Sequence, residues 1–485
     1  LTFFPKTFLI SFILNKKLAT KQEKQLSKLQ TLSFFLKAEL KNKYNIKDKY
    51  FMIPKLISCE VGANYKFSDS LLAIHTLAEF YDEKAIDYCQ NWFANYFNIE
   101  TKYQFVDSGR TGMYFILNSF KKVFNWDNKS EILIQGFSCV VLPNSVWQSG
   151  LIPVLVDTEI PNTENQYNFN LQDFEQKITT KTKAMVIQYT FGIVPNMQKI
   201  VDLCRKYNLV LIEDAAHSLG AKTVIDGQEY KIGEIGNAAF FSFGRDKIVS
   251  STIGGMFMVN PKNLIQNPDF KQKIPEIQKQ IDISELPKMN QKRVFQSLIY
   301  PVLATFFIRP LYHLQIGKVI LLLSRKLGLF GEIYTENEKN GTNKLETASK
   351  YSPKLANILK YQLQEMEEMN NHRRKIAKFY AEKLNLKFDE KNVYMRFPVV
   401  LENKKDYLKI KQKLRKKGVL IGTWYQSIFL PELDYHQKFN YKQGSLPNIE
   451  FLSDSRTLNL PTNIHTNLKA AEIVVSEFLD AQILR

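Results

Sequence analysis

Cysteine is scarce in this chain of 485 residues: there are four, at Cys59, Cys89, Cys139 and Cys204. No two form a C-x-x-C pair, and none has a metal-like spacing. That excludes a disulfide framework and a zinc site, and fits a reducing cytosol. Acids are missing from one long stretch. Residues 291–330 hold Lys292, Arg293, Arg309, Lys318, Arg325 and Lys326 and not one Asp or Glu. Long apolar runs are missing too. Val294 to Ile308 and Leu311 to Leu323 are the two apolar runs of this stretch, and both fall short of the roughly 18–20 residues that span a bilayer. Zinc-finger spacing, an RNP-type motif and a basic stripe interleaved with stacking aromatics are absent, so no nucleic-acid partner is expected. There is no internal repeat and no low-complexity tract.

What is present is a large apolar complement, 45% hydrophobic and 13% aromatic. It excludes global disorder. At about 150 residues per domain the length predicts two or three. The net charge of +18 is unevenly placed. Residues 1–51 carry eleven lysines and three acids, a net of +8, and 291–330 carry +6. The rest of the chain holds only about +4, which is ordinary for a soluble surface.

Residues 1–51 read as a basic N-terminal extension, either an amphipathic appendage or translated upstream sequence, with the folded protein beginning near Met52. Its apolar stretch precedes its lysines, the wrong order for a signal peptide. From about 100 to 260, short apolar runs (Ile132–Ile134, Ala184–Ile187, Leu209–Ile212, Ala238–Phe243, Met256–Val259) alternate with helix-like segments. That pattern predicts an α/β fold with a mostly parallel sheet buried on both faces. Residues 266–345 interrupt it as a basic, apolar insert. Leu355, Ile358, Leu359, Leu363 and Met366 then recur at helical spacing, with the helix continuing toward Leu384. A smaller C-terminal α+β part follows, with a strand in Tyr394–Val400 and a helix from about Lys405 to Lys417. The predicted units are 1–51, 52–265, 266–345 and 346–485.

Four islands carry chemistry. Asp107-Ser108-Gly109-Arg110-Thr111-Gly112-Met113 enters a helical pattern. A small turn with hydroxyls at a helix start suits a phosphate, but taken alone is more often an ordinary helix cap. Leu209-Val210-Leu211-Ile212-Glu213-Asp214-Ala215-Ala216-His217 ends a buried strand on acids. A carboxylate there can hold a ring nitrogen protonated, or can cap the next helix. Phe240-Phe241-Ser242-Phe243-Gly244-Arg245-Asp246-Lys247 puts a lysine just past a strand, 33 residues beyond Asp214. Desolvation there would free its amine to attack an aldehyde. Gln188-Tyr189-Thr190-Phe191-Gly192 lies at a fourth strand end, as a pocket wall or a plain turn. Cradle, ring-nitrogen acid and Schiff-base lysine, in that order, are the parts that hold pyridoxal 5'-phosphate.

With these residues the sequence resembles the DegT-type sugar aminotransferases, fold-type-I pyridoxal-phosphate enzymes. The matching text is S-G-R-T-G-M at 108–113, G-L-I-P-V-L-V-D at 150–157, Q-Y-T-F-G at 188–192, I-E-D-A-A-H-S-L-G at 212–220, I-G-N-A-A-F-F-S-F at 235–243 with Lys247, I-G-G-M at 253–256 and N-L-P-T at 459–462. The resemblance implies that Lys247 binds the cofactor aldehyde and acts as general acid and base. Asp214 would meet the ring nitrogen and His217 the ring hydroxyl. Ser108, Gly109, Arg110, Thr111 and Ser242 would hold the phosphate, with Gln188 in the same site. It implies a ping-pong transfer from glutamate or glutamine to a nucleotide-linked keto-sugar for surface polysaccharide synthesis, in a cytoplasmic homodimer. Alternatives are a transaminase acting on a non-sugar substrate and a membrane-associated homologue without turnover. Three departures mark the chain. Ser138-Cys139-Val140 stands where many members place an aromatic over the ring. Glu346-Thr347-Ala348-Ser349-Lys350 replaces the family's G-x-N-x-R. The insert at 266–345 is the third. Its apolar, acid-free stretch 291–330 suits either an interfacial position on an anionic membrane or a helical hairpin packed on the body or on a second subunit.

The remaining histidines, His75, His313, His372, His436 and His465, show no ligand spacing. The segment Gly418–Tyr425 is either a wall of the substrate side or a buried aromatic corner.

Overall fold

The computed structural model describes residues 56–479, apart from 162, 164–165, 333, 335–347 and 432–438. The basic extension 1–51, Glu346-Thr347 and His436 lie outside the described residues.

Seven strands make the central sheet: β1 (Gln104–Val106), β2 (Glu131–Gln135), β3 (Ile152–Val156), β4 (Thr182–Gln188), β5 (Val210–Asp214), β6 (Ala238–Ser242) and β7 (Gly255–Val259). Their order is β1-β7-β6-β5-β4-β2-β3. β7 pairs antiparallel with both β6 and β1, and the other pairings are parallel. Successive side chains in a strand point to opposite faces. Leu133, Met185, Leu211, Ala239 and Met258 enter one buried cluster. Ile132, Ile134, Val186, Ile212, Phe240 and Phe257 enter the cluster on the other face. Both faces are therefore covered, which is why the strands read as unbroken apolar runs.

The parallel registers align the strand ends. Gln188 lies opposite Asp214, Asp214 opposite Phe240, and Ser242 and Val106 both flank Gly255. All four islands thus open on one edge of the sheet, the carboxyl edge where ligands bind in open α/β sheets.

The paired acids of β5 have different tasks. Glu213 is wholly buried. Its carboxylate accepts from the Tyr189 hydroxyl at 2.6 Å and from the backbone N–H groups of Gly233, Ile235 and Gly236 at 2.8, 2.8 and 2.7 Å. It ties the turn before β6 to the sheet and does not reach the cavity. Removing it would strand four buried donors. Glu213→Ala is expected to destabilise the fold by about 3 kcal/mol, measured as a lower urea midpoint with the same slope.

Helix α1 (Gly109–Val123) starts at Ser108, whose Oγ accepts the Thr111 N–H at 3.3 Å. The insert supplies α2 (Gln291–Leu303) and α3 (Ile316–Lys326), joined by a wide turn at Ala304–Ile308. The inner face of α2 is packed: Val294, Leu298, Tyr300 and Val302 are buried. Arg309 is buried as well, and donates to the carbonyls of Gly62 at 3.1 Å and Leu56 at 3.2 Å. The insert is thereby pinned to the N-terminal end of the described chain.

The long helical pattern after 350 is two helices, α4 (Pro353–Gln364) and α5 (Met366–Leu384), broken at Glu365. Leu355, Ile358, Leu359, Leu363 and Met366 are all buried. The C-terminal part pairs β8 (Phe397–Val400) antiparallel with β9 (Thr457–Leu460) and packs α6 (Lys405–Lys416) and α7 (Leu468–Leu479) around a third cluster.

Candidate active site

A cavity of about 510 Å³ opens at the carboxyl edge of the sheet, within the range of small-molecule sites. Ser108, Gly109, Arg110, Gln188, Asp214, His217, Ser242 and Lys247 all line it. Thr111 does not. Its hydroxyl donates to Asp107 Oδ1 at 2.7 Å, so it orders the turn from behind.

The cradle is built where β1 turns into α1. Asp107 is fully buried, and its other carboxylate oxygen accepts from Arg293 of the insert at 3.0 Å. The Asp107 N–H donates to the Ser349 carbonyl at 3.1 Å. The segment that departs from the family's pattern therefore supports the cradle through its backbone. Two glycines keep this place open. A Cβ on Gly109 would meet the Phe241 carbonyl at 3.2 Å and Ser242 Cβ at 3.4 Å, and one on Gly255 would meet Ser108 at 2.4 Å. What remains is a helix N-terminus flanked by the Ser108 and Ser242 hydroxyls and the Arg110 guanidinium, the donor set of an anion site.

On the far side of the cavity Asp214 ends β5. Its Oδ1 accepts the Ala216 N–H at 3.1 Å. Burial raises its pKa to about 6, opposed by that N–H and by the charge of Lys247. His217 follows. The Phe191 N–H donates to its Nδ1 at 3.3 Å. With Nδ1 occupied as an acceptor, the neutral ring carries its proton on Nε2. That nitrogen lies 2.8 Å from Lys247 Nζ. Burial and the neighbouring Lys247 charge hold His217 well below the usual histidine range. Burial also lowers the Lys247 amine, against the pull of Asp246. With Nδ1 accepting from Phe191, the imidazole directs Nε2–H toward the Lys247 amine.

Trp424 closes this side. Its ring stacks on His217 with centroids 5.5 Å apart, and Lys247 Nζ lies 4.9 Å from its centre. On its other contact the buried Arg396 guanidinium lies 3.7 Å from the ring centre and reaches Asp246 at 2.7 Å. The backbone of the lysine loop is clamped too. Asn64 donates to the Lys247 carbonyl, and buried Arg373 donates to the Ile248 carbonyl at 2.8 Å and to Asn64 Oδ1 at 2.9 Å.

Gln188 faces the cavity but has its own partners. Its Oε1 accepts the Ser138 hydroxyl, and its Nε2 donates to Thr190 Oγ1 at 2.8 Å. Beyond it Cys139 Sγ lies 3.5 Å from the hydroxyl of Tyr334. The insert thus brings an aromatic ring beside the position where the sequence has Cys139.

The insert is a wall of the site. Arg293, Tyr300, Leu321, Arg325, Phe330 and Tyr334 line the cavity. It also clasps the lysine loop. Arg245 lies over the rings of Tyr300 and Phe330, at 4.6 and 5.6 Å, and donates to the Gly331 carbonyl at 2.6 Å. Sequence reasoning gave these insert residues no place in the site, nor Asn64, Arg373 and Arg396; Asp107 stood in the first island without a role of its own. One signal was available. Arg373 falls in the buried stripe of α5 with Met366, Met369, Asn370, Ile376, Ala377 and Tyr380. A charge in a core stripe needs partners.

The residues present fit pyridoxal phosphate: an anion cradle with no room for a Cβ, a carboxylate across the cavity, the small Ala216 beside it, and an amine of lowered basicity. Among the described residues no group of His, Cys, Asp and Glu could hold a metal ion. Likewise, none of their helices is long and apolar enough to cross a membrane.

Comparison with known proteins agrees with this geometry. Over 134 residues the chain is 34% identical to a GDP-perosamine synthase of Caulobacter vibrioides, covering 28% of this chain and 34% of that protein. The match thus spans about a third of that curated relative. An uncharacterised protein of Methanocaldococcus jannaschii is 25% identical over 353 residues, 70% of this chain and 75% of its own. Among solved structures, the fold superposes on Helicobacter pylori PseC, an aminotransferase involved in the biosynthesis of pseudoaminic acid, with a TM-score of 0.60 at 18% identity, covering 87% of this chain and 98% of that one. Bacillus subtilis NtdA with bound PMP gives 0.62 at 17% identity, covering 89% and 86%. The fold is that of the fold-type-I pyridoxal-phosphate aminotransferases. A family model matches residues 90–271 and 325–479 and leaves out the greater part of the insert. On that match the chain belongs to the DegT/DnrJ/EryC1/StrS aminotransferase family.

Proposed function

We propose that this protein is a pyridoxal-phosphate aminotransferase that moves an amino group from glutamate or glutamine to a nucleotide-linked keto-sugar for surface polysaccharide or glycoconjugate synthesis. It works as a cytoplasmic homodimer, peripheral to the inner face of the membrane. The observation that carries the reading is the placement of Lys247 Nζ, 2.8 Å from His217 Nε2 and 4.9 Å from the centre of the Trp424 ring, in a cavity shared with Asp214 and the Ser108–Arg110 turn.

Bound there, pyridoxal phosphate supplies an electron-withdrawing ring that carries the amino group between the two substrates. The chain does the rest. Ser108, Arg110, Ser242 and the α1 N-terminus would hold the phosphate. Asp214, when ionised, would keep the ring nitrogen protonated. His217 presents Nε2–H as a donor. Lys247 would hold the cofactor aldehyde, and once released its amine would move a proton between the substrate carbon and the cofactor carbon, as base and acid in turn. Trp424 and the wall from the insert exclude water from that transfer. Lys247 and Asp214 are both in place, which favours an active enzyme over a homologue without turnover.

The test is a half-reaction. Protein loaded with the amino form of the cofactor is mixed with a panel of nucleotide-linked keto-sugars, and with keto-acids and keto-cyclitols. The expected result is return of the yellow absorbance with at least one keto-sugar only. Return with a keto-acid or cyclitol alone would overturn the sugar assignment. No return with any acceptor, glutamate and glutamine products included, would overturn the transaminase assignment.

A further inference from the structure

Helix α3 has two faces with different surroundings. Gly317 and Ser324 point inward and are buried. A Cβ on Gly317 would meet the Ile308 carbonyl at 2.2 Å, so only glycine lets the helix pack this closely on the preceding turn. Outward stand Ile316, Val319, Leu322 and Leu323, which are 49, 52, 64 and 51% exposed. Leu314 before the helix and Leu327 after it extend the patch, at 55 and 71%. On 3.6-residue spacing the four helix residues share one face. Lys326 lies among them, and Lys318 and Arg325 flank them. Leu321 and Arg325 lie toward the body and line the cavity.

Six large aliphatic residues grouped on a surface mark a contact site. Charge selects its occupant. From Leu311 to Phe330 the basic residues are Lys318, Arg325 and Lys326, and there is no acid. A two-fold contact between copies sets a patch against itself, so this one would oppose its own positive charge. A bilayer with anionic headgroups offers both hydrocarbon for the leucines and negative charge for Lys318 and Lys326. Eleven residues make a helix of about 16 Å, too short to cross and suited to lie in the interface.

We propose that α3 docks the enzyme on an anionic lipid surface, with the cavity wall at Leu321 and Arg325 beside that surface. The docking does not rest on the aminotransferase reading.

The test uses the full chain loaded with cofactor. It is sedimented with vesicles of phosphatidylcholine alone and of phosphatidylcholine and phosphatidylglycerol in equal parts. The protein is expected to sediment with the anionic vesicles only, and less so as salt is raised. A variant carrying Val319→Ser, Leu322→Ser and Leu323→Ser, all solvent-facing, is expected to lose about tenfold or more in vesicle affinity while keeping its cofactor absorbance. Wild-type protein that ignores anionic vesicles would overturn the proposal. So would a variant that binds as wild type, which would move the docking to another segment, such as 1–51. So would a variant that alters the oligomeric state in light scattering, which would make the patch a contact between copies. Absent cofactor absorbance in the wild type would sink the enzymatic reading and leave the docking result standing.

Discussion

Lys247→Ala is expected to abolish turnover, by about four orders of magnitude or more, while leaving the fold intact. On the proposed reading the amine both anchors the cofactor and moves the proton, so no neighbour can replace it. His217 is the nearest other base, but its Nδ1 is committed to the Phe191 N–H and its basicity is held down by burial. The side chain points into the cavity and not into the core, so its loss costs little packing. The loop itself stays in place, because Asn64 and Arg373 hold the backbone of residues 247–248 and not the lysine side chain. The measurements are single-turnover kinetics, the visible absorbance of the loaded protein and a urea melt. The absorbance band should shift from that of the covalently held cofactor to that of the free aldehyde, with the melt unchanged. An unshifted band would show that another group holds the aldehyde.

Asp214→Asn is expected to split stability from activity. In the cofactor-free protein Asp214 has a pKa of about 6, raised from 3.8 by burial. Between those values the native carboxyl keeps its proton while the unfolded one has lost it. Stability therefore falls as pH rises through this window. The contribution is fully present below about 3.8 and gone above about 6. Two units correspond to roughly 2–3 kcal/mol. Asparagine carries no charge to desolvate. The cofactor-free variant should therefore be more stable than wild type above pH 6, by an amount on the order of 2 kcal/mol, and equal to it near pH 4. Turnover should fall about 10²–10³-fold, because the ring nitrogen loses the anion that keeps it protonated. Wild-type protein should gain more from cofactor at pH 7.5 than at pH 5, and the variant should not show this difference. Melts across this pH range with and without cofactor check both halves. A variant no more stable than wild type at pH 7.5 would contradict the desolvation account.

These two residues were legible in the sequence because each follows a recognisable strand. Ile132–Ile134, Ala184–Ile187 and Leu209–Ile212 read as strands since both faces of the sheet are covered and neither imposes polar alternation. Once the strands are parallel, their ends share an edge, and Gln188, Asp214 and Ser242 must meet. The turn at 108–111 read as a cradle only together with the strand-end acid and the lysine, and Thr111 turns out to serve Asp107.

Other features were hidden by distance along the chain. The sequence shows Glu213 and Asp214 as adjacent acids. Alternation sends one into the core beneath the turn at 233–236 and the other into the cavity. A helical period over 355–384 does not reveal the break at Glu365, because both helices bury the same kind of stripe. The insert showed its charge and apolar runs, but not that α2 and α3 have different surroundings. Packing buries α2 and leaves the outer face of α3 open.

The sequence by itself therefore determined what local chemistry can encode: the strands, the hydroxyl-bearing turn at 108–111, the strand-end acid Asp214 and Lys247, each written in a few consecutive residues. Only the tertiary structure decided what surrounds them. Arg293 reaches Asp107, Arg396 reaches Asp246, and Tyr334 reaches Cys139 across separations of 186, 150 and 195 residues. Such contacts follow from how whole elements pack, and periodicity or spacing carries no record of them. The absence of acids from 291–330 was visible from the outset, but the wall it forms beside Lys247 exists only in the fold.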